Sequence, residues 1–285
     1  MPSGNRPSVR LRRIGSALRK ARDATGMTVG TAARRYGRSK SWLSTLENGL
    51  HSVELQELAD LLDFYGVTDV TLRESLLHLA THSPGGNWGR AYEGRISATA
   101  LDLASLEEDA ALIRNFEPGV MPGLLQLSAY TRSLFETVGS PNAVRNTRAL
   151  VDFRLARQRV LARPDPPRYQ PIIGEAAMRN QVGGPPLMRA QLRKLAEASR
   201  LDHVELRVLP ATAGAYFCLA GPFHLLSLRP PGRLTVSVVE QFTRSLFVED
   251  EDEVAAHEEI FELLLAASLD RTHSRELIEE LASQV

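Results

Sequence analysis

The stretch from Thr28 to Gly49 constrains the fold more than any other, because it carries the start and stop signals of two short helices. An Ala-Ala pair lies within the first helix, and Gly37 stands where the chain must turn. Ser39 is placed to N-cap the second helix, since its hydroxyl can accept an otherwise unpaired backbone N–H. Gly49 closes that helix, where a left-handed residue is needed. The stretch therefore predicts helix, tight turn and helix.

The rest of the N-terminal region predicts three further helices. Between residues 10 and 25 the apolar spacing is that of an amphipathic helix, with Ile14, Leu18, Ala21 and Thr25 on one side. Leucine-rich stripes predict a fourth helix over residues 53–65 and a fifth after Thr68 or Asp69. The run Ser83-Pro-Gly-Gly-Asn then stops the helix and is interpreted as a domain boundary. We therefore predict an all-α five-helix module over residues 1–83.

Beyond this boundary, β-rich runs join the helical ones. Strands are predicted near residues 111–118, 168–174, 204–210, 223–228, 234–240 and 245–250. A Pro-Pro-Gly run at 230–232 is a candidate hairpin turn, and the tail from Val254 to Gln284 is helical with a break near Asp270. We predict an α+β domain over residues 84–285, with a small, largely antiparallel sheet and C-terminal helices.

The charge of the chain is distributed unevenly. Overall, 34 basic residues balance 34 acidic ones. Residues 1–50 carry eleven Lys and Arg against Asp23 and Glu47, a net charge of +9, so the remainder carries −9. A basic N-terminal module on an acidic body indicates a polyanionic partner for the first part only.

Composition also bears on the compartment. A single cysteine, Cys218, excludes an internal disulfide framework and an all-cysteine metal site, and it fits a reducing cytoplasm. No run approaches the ~18 apolar residues that a membrane-spanning helix needs. The first residues lack the apolar segment of a signal peptide. We expect a soluble, cytoplasmic protein without a membrane partner.

No catalytic motif is recognisable. The glycine clusters lack the strand-turn-helix context of phosphate loops, and no nucleophile motif is present. His78 and His82 have a spacing that suits either a metal ion or the end of a helix. The glutamates that stand out lie scattered along the chain: Glu93, Glu117, Glu175 and Glu240. We expect no catalytic residue, no metal site and no cofactor.

Four short segments of the N-terminal region carry a family resemblance: G-M-T at 26–28, A-A-R-R-Y-G at 32–37, S-K-S at 39–41 and L-E-N-G at 46–49. Together they resemble the helix-turn-helix DNA-binding domains of the Xre/Cro-repressor family. The resemblance implies that the second motif helix enters the major groove of double-stranded DNA. It then implies base contacts by Lys40, Ser41 and Thr45, of which Lys40 can pair with a guanine edge.

The resemblance also implies contacts with the DNA backbone. Ser39, Trp42 and Asn48 fall at positions that meet phosphates, and Arg38 is the arginine we expect to reach them first. Packing against the fourth helix is an equal alternative for Trp42. Leu43 and Leu46 are expected to face the core of the module. One departure weakens an expected anchor, because Val29-Gly30 stands where the family often has a polar, phosphate-touching residue.

A second resemblance covers roughly residues 90–280. Its longest segment is N-F-E-P-G-V-M-P-G-L-L-Q at 115–126, and shorter ones occur at 129–135, 154–161, 221–226 and 238–240. These segments resemble the C-terminal domain of unknown function found in many actinobacterial Xre-type regulators. The resemblance implies a regulator architecture, often encoded beside a small partner protein. It implies no ligand and no catalytic residue.

The functional hypothesis is a sequence-specific, DNA-binding transcriptional regulator. We expect a homodimer on a palindromic site, because one five-helix module makes few base contacts. The C-terminal domain would dimerise, sense a small-molecule effector or bind a partner protein. The alternative is a protein-protein interaction switch in which the helical module binds a protein partner instead of DNA. Salt-dependent affinity for duplex DNA separates the two. An enzyme within residues 90–285 ranks third.

Overall fold

The computed structural model describes residues 7–81, 89–138, 141–214, 221–232, 234–240 and 245–285. Two compact units divide the chain. The first comprises the residues up to Ala91 together with Ser97–Ser105 and Leu228–Leu234, and the second comprises Tyr92–Ile96, Leu106–Ser227 and Thr235–Val285. The predicted boundary at Ser83, like His82 and Cys218, lies outside the described residues.

The five helices predicted for the N-terminal region are confirmed. They are α1 (Val9–Ala24), α2 (Val29–Tyr36), α3 (Lys40–Glu47), α4 (Leu55–Phe64) and α5 (Val70–Thr81). The leucine and isoleucine stripes meet in one core that buries Ile14, Leu18, Leu43, Leu46, Leu58, Leu61, Leu62, Leu76 and Leu79. Apolar residues at helical spacing thus fold into the compact helical module that their pattern predicts.

A sixth helix, α6 (Ala98–Asp109), supplies polar partners to the start of α1. The buried carboxylate of Asp102 accepts a hydrogen bond of 2.8 Å from the backbone N–H of Val9. This contact gives a partner to an N–H that helix geometry leaves unpaired, and it places negative charge at the positive end of α1. Arg10, also buried, donates to the hydroxyl and the carbonyl of Ser105.

A buried ion pair joins α1 to the end of α3. The Nε atom of Arg22 lies 2.6 Å from one carboxylate oxygen of Glu47, and Nη2 lies 2.9 Å from the other. Arg22 also donates to the carbonyl of Met27 at 2.8 Å, just before α2. One guanidinium therefore holds three parts of the module, with the bidentate geometry that arginine and carboxylate favour.

The sheet of the second unit has six strands. They are β1 (Ala110–Glu117), β2 (Arg168–Gly174), β3 (Arg207–Leu209), β4 (Phe223–Leu228), β5 (Thr235–Glu240) and β6 (Ser245–Val248). Their order across the sheet is β3-β2-β1-β4-β5-β6. The α-helices described for this unit are α7 (Ser128–Val138), α8 (Pro141–Gln158), α9 (Glu175–Arg179), α10 (Pro185–Ala198), α11 (Glu251–Ala267) and α12 (Arg271–Gln284).

The predicted fold class, a helical module followed by a domain with a sheet and C-terminal helices, is confirmed. The sheet has the six predicted strands, but it is mixed and not largely antiparallel. Strands β1, β2 and β3 pair in parallel, whereas β4, β5 and β6 form the predicted antiparallel arrangement. Parallel neighbours need long crossovers, and the helices α7 to α10 occupy these connections.

The two faces of the sheet differ in chemistry. On one face Phe116, Phe223 and Leu225 belong to an apolar core that includes Phe261 and Leu264 of α11. Successive side chains of a strand point to opposite faces, so the neighbours of these apolar residues lie on the other face. That second face carries buried polar side chains from two strands: Asn115 and Glu117 of β1, and His224 of β4. Burial raises the pKa of Glu117 to about 7, although the nearby His224 lowers it.

The C-terminal helices break where the sequence predicts. Helix α11 ends before Ser268, and Asp270 caps α12 by accepting the backbone N–H of His273 at 2.9 Å. Among the described residues, no helix is long and apolar enough to cross a membrane.

We expect Gly15→Ala to destabilise the helical module by about 1–3 kcal/mol, because a Cβ there would lie 2.6 Å from the carbonyl oxygen of Leu46. The matched control is Gly30→Ala, whose Cβ would meet only the stem of Lys40 at 3.9 Å. Alanine favours a helix over glycine, so this control should unfold at equal or higher urea concentration. Urea titrations followed by circular dichroism and tryptophan fluorescence compare the two, and equal midpoints would contradict the close approach.

We also expect Arg22→Met to lower the free energy of unfolding by about 3 kcal/mol, because it leaves the buried carboxylate of Glu47 without its bidentate partner and with only Arg19 at 3.7 Å. The double variant Arg22→Met with Glu47→Leu removes both charges and should recover much of the loss. Urea titration of both variants measures the difference. If both variants lost the same stability, packing and not charge compensation would explain the role of Arg22.

Candidate nucleic-acid interface

The helix-turn-helix is built from caps that the sequence specifies locally. The hydroxyl of Thr28 accepts a backbone N–H at 3.2 Å to start α2, and Gly37, with φ of +80°, ends it in the left-handed conformation. The hydroxyl of Ser39 accepts the N–H of Trp42 at 3.1 Å to start α3. Gly49 follows α3 with φ of +69°. The predicted caps and turn are thus confirmed.

Helix α3 has one buried side and one exposed side. Leu43 and Leu46 are buried in the core of the module, as predicted. Lys40 and Ser41 are exposed at the first turn of the helix. Two of the three predicted base readers are therefore accessible at the end of α3 that the motif directs toward the bases.

The third predicted base reader, Thr45, lies one turn further along. Its side chain is half-buried, and its hydroxyl donates to the carbonyl of Trp42 at 2.8 Å. The donor of Thr45 is thus used within the helix, which leaves its lone pairs and its methyl group for a partner.

Lys40 is the cation best placed at the start of α3. Its ammonium group makes no hydrogen bond or ion pair with another residue of the described part of the chain. The stem of Lys40 passes 3.9 Å from the position that a Cβ at residue 30 would take. Gly30, the departure noted in the sequence, therefore lies beside the Lys40 side chain.

Arg38 and Trp42 form part of an ordered cluster beside α3. The guanidinium of Arg38 pairs with Glu57 of α4 at 2.6 Å and lies 5.3 Å from the centre of the Trp42 ring. The Trp42 ring stacks on Tyr36 of α2 at 6.3 Å, and Tyr36 in turn contacts Phe64 of α4 at 5.3 Å. The packing of Trp42 thus reaches α4 through Tyr36. Arg38 retains further N–H donors beside its bond to Glu57.

The remaining predicted phosphate contact, Asn48, is also held in place. Its amide group donates to the carbonyl of Ser44 at 2.7 Å, and its oxygen accepts from Arg19 at 2.6 Å. The sequence did not single out Glu57, Tyr36 or Arg19 as partners, because each contact joins residues at least six positions apart. No local pattern contains that information.

The surface around the motif is basic. Among the described residues near the two helices, the exposed Lys and Arg side chains include Lys20, Arg34, Arg35 and Lys40. Exposed positive charge of this density attracts a polyanion and makes its binding sensitive to salt.

Comparison with known families agrees with both parts of the structure. A family model described as a helix-turn-helix domain matches residues 13–76, which span most of α1 to α5. A second family model, described as a domain of unknown function (DUF5753), matches residues 100–280. No curated protein and no solved structure matches the chain significantly. The first match indicates a DNA-binding regulator. Because the second covers more than half of the sequence, the chain belongs to the DUF5753 family and carries a helix-turn-helix domain at its N-terminal end.

Proposed function

We propose that this protein is a sequence-specific transcriptional regulator of the Xre/Cro type that binds double-stranded DNA with α3 in the major groove. The observation that carries the proposal is the exposed, unpaired ammonium of Lys40 at the start of a capped recognition helix. The +9 charge of residues 1–50 supports it independently of the motif. The protein would act in the cytoplasm, by binding and not by catalysis.

Contacts with DNA divide into two groups. Lys40 reads base edges, with Ser41 and Thr45 as weaker readers because hydroxyls both donate and accept. Arg38, Ser39, Trp42 and Asn48 would meet the phosphates on either side of α3. Phosphate contacts position the helix, whereas base contacts choose the sequence.

The proposed active form is a homodimer on a palindromic site. One module offers few base contacts, and two weak hydroxyl readers add little discrimination, so two modules are needed to select a site. We assign dimerisation and regulation, by a small-molecule effector or a small partner protein, to the C-terminal domain.

We expect Lys40→Ala to remove sequence discrimination of about 1–3 kcal/mol between a selected duplex and a scrambled one. Lys20→Ala is the matched control, since it removes the same charge from an exposed position on α1. This control should lower affinity for both duplexes alike. Selection from a random duplex pool, followed by anisotropy titrations at several salt concentrations, measures both effects. Absence of duplex binding at low salt would favour the protein-binding alternative.

The ion pair of Arg38 with Glu57 gives a second prediction. Glu57→Gln removes the carboxylate that competes with phosphate for Arg38, so affinity for any duplex should rise several-fold at low salt. Arg38→Ala should lower the slope of log affinity against log salt by about one. The double variant should lack the gain seen in Glu57→Gln. A gain that persisted without Arg38 would show that general charge, and not this contact, is responsible.

Sedimentation analysis tests the dimer. We expect a dimer on selected DNA, with two half-sites about one helical turn apart. A chain that stayed monomeric both free and on DNA would contradict this part of the proposal and leave DNA binding itself intact.

A further inference from the structure

Three ionisable side chains meet on the polar face of the sheet in the second unit. Glu117 ends β1, His224 lies on β4, and Glu240 ends β5. His224 pairs with Val238 across the ladder, so Glu240, two residues further on, lies on the same face. The two glutamates that look scattered in the sequence are thus brought together by the order of the strands.

The three groups surround a common point. The Nε2 atom of His224 lies 3.8 Å from a carboxylate oxygen of Glu117 and 3.8 Å from one of Glu240. One ligand atom from each residue falls within 4.8 Å of the others. These distances exceed those of hydrogen bonds, so the groups face one another without direct contact.

The imidazole of His224 has an unsatisfied nitrogen. Its side chain is only 8% exposed, and Nε2 has no hydrogen-bond partner among the described residues. A buried polar atom without a partner costs free energy, so its retention requires an explanation. A ligand at the common point would satisfy it.

The spacing suits a metal ion. Two sides of the triangle measure 3.8 Å and the third at most 4.8 Å, so its centre lies roughly 2–2.5 Å from each corner, close to the Zn–N and Zn–O bond lengths in proteins. The adjoining cavity measures about 140 Å³ and is lined by the three residues together with Met121, Gln126 and Arg154. It has room for water molecules, of about 30 Å³ each, to complete the coordination.

Two carboxylates and two arginines line the cavity beside the cluster. Arg157 is compensated by Glu107 at 2.7 Å, whereas Arg154 donates to the neutral amide of Gln126 at 2.9 Å and keeps its positive charge. Within the described residues, neither Glu117 nor Glu240 forms an ion pair with Lys or Arg. With a neutral imidazole, two carboxylates match the charge of a divalent ion.

We propose that Glu117, His224 and Glu240 bind one divalent transition-metal ion. One imidazole nitrogen and two carboxylate oxygens form a ligand set that suits Zn²⁺ or Mn²⁺, with water in the remaining positions. This site lies within the second unit and does not depend on the proposed DNA binding. It revises the expectation from sequence of no metal site.

The direct test is metal binding by the full chain without an affinity tag. Protein stripped with a chelator and dialysed is titrated calorimetrically with ZnCl₂ and, separately, with MnCl₂, and bound metal is then counted after gel filtration. We expect one ion per chain for the wild type. His224→Ala and Glu240→Gln should each weaken binding at least roughly tenfold, because each removes a ligand.

A matched control excludes binding at the surface. His273 and Asp270 form an exposed imidazole-carboxylate pair at 2.7 Å, so His273→Ala removes a histidine of similar chemistry elsewhere. This variant should bind one ion with unchanged affinity. Loss of the ion only in His273→Ala would overturn the proposal.

Thermal melts separate lost ligands from lost folding. Metal should raise the Tm of the wild type and of His273→Ala, but not that of the ligand variants, since an ion stabilises only the state that binds it. Should His224→Ala fail to fold, Glu117→Gln and Glu240→Gln keep the side-chain shape and still test the site. Absence of a bound ion in the wild type, or equal affinity in the folded ligand variants, would refute the proposal.

Discussion

The buried ion pair of Arg22 with Glu47 is the interaction on which the geometry of the DNA-binding module depends. Helix α3 has only eight residues, too few to be stable alone in water, so its position must come from tertiary contacts. The bidentate pair links Glu47, the last residue of α3, to Arg22 of α1. At Gly15 the backbone of α1 also packs closely against the carbonyl groups of Leu46 and Glu47. These two contacts therefore fix the position of α3 against α1, and with it the position of the exposed first turn of α3.

Sequence reasoning predicted features that depend on neighbouring residues. The caps at Thr28 and Ser39 and the left-handed Gly37 each involve backbone groups within a few positions, so the residue type alone specifies the structure. The expected burial of Leu43 and Leu46 is likewise confirmed. Contacts between distant residues were not predictable in this way. The pairing of Arg38 with Glu57 depends on how α4 crosses α3, and no periodicity encodes that.

The sheet likewise has local features that the sequence predicts and long-range pairings that it does not. All six strands were recognisable from β-rich runs, and the hairpin between β4 and β5 followed from its turn residues. The parallel pairing of β1 with β2 was not predictable, because 50 residues separate Glu117 from Arg168 and strand order is a property of the whole domain. The polar cluster was not predictable for the same reason, since Glu117 and Glu240 come close together only when β1 and β4 lie side by side in the sheet.

The polar cluster is best understood from the cost of burying it. Alternation along the strands places apolar residues on the face of the sheet that packs against α11. A sheet with apolar residues on its other face as well would also be compatible with folding. Buried charges are seldom the most stable choice, since well-packed hydrophobic replacements are often neutral or stabilising. A histidine nitrogen left unsatisfied between two carboxylates adds to that cost. A protonated His224 would compensate the two carboxylates only in part, whereas a bound divalent cation would compensate both and give the Nε2 atom of His224 a partner.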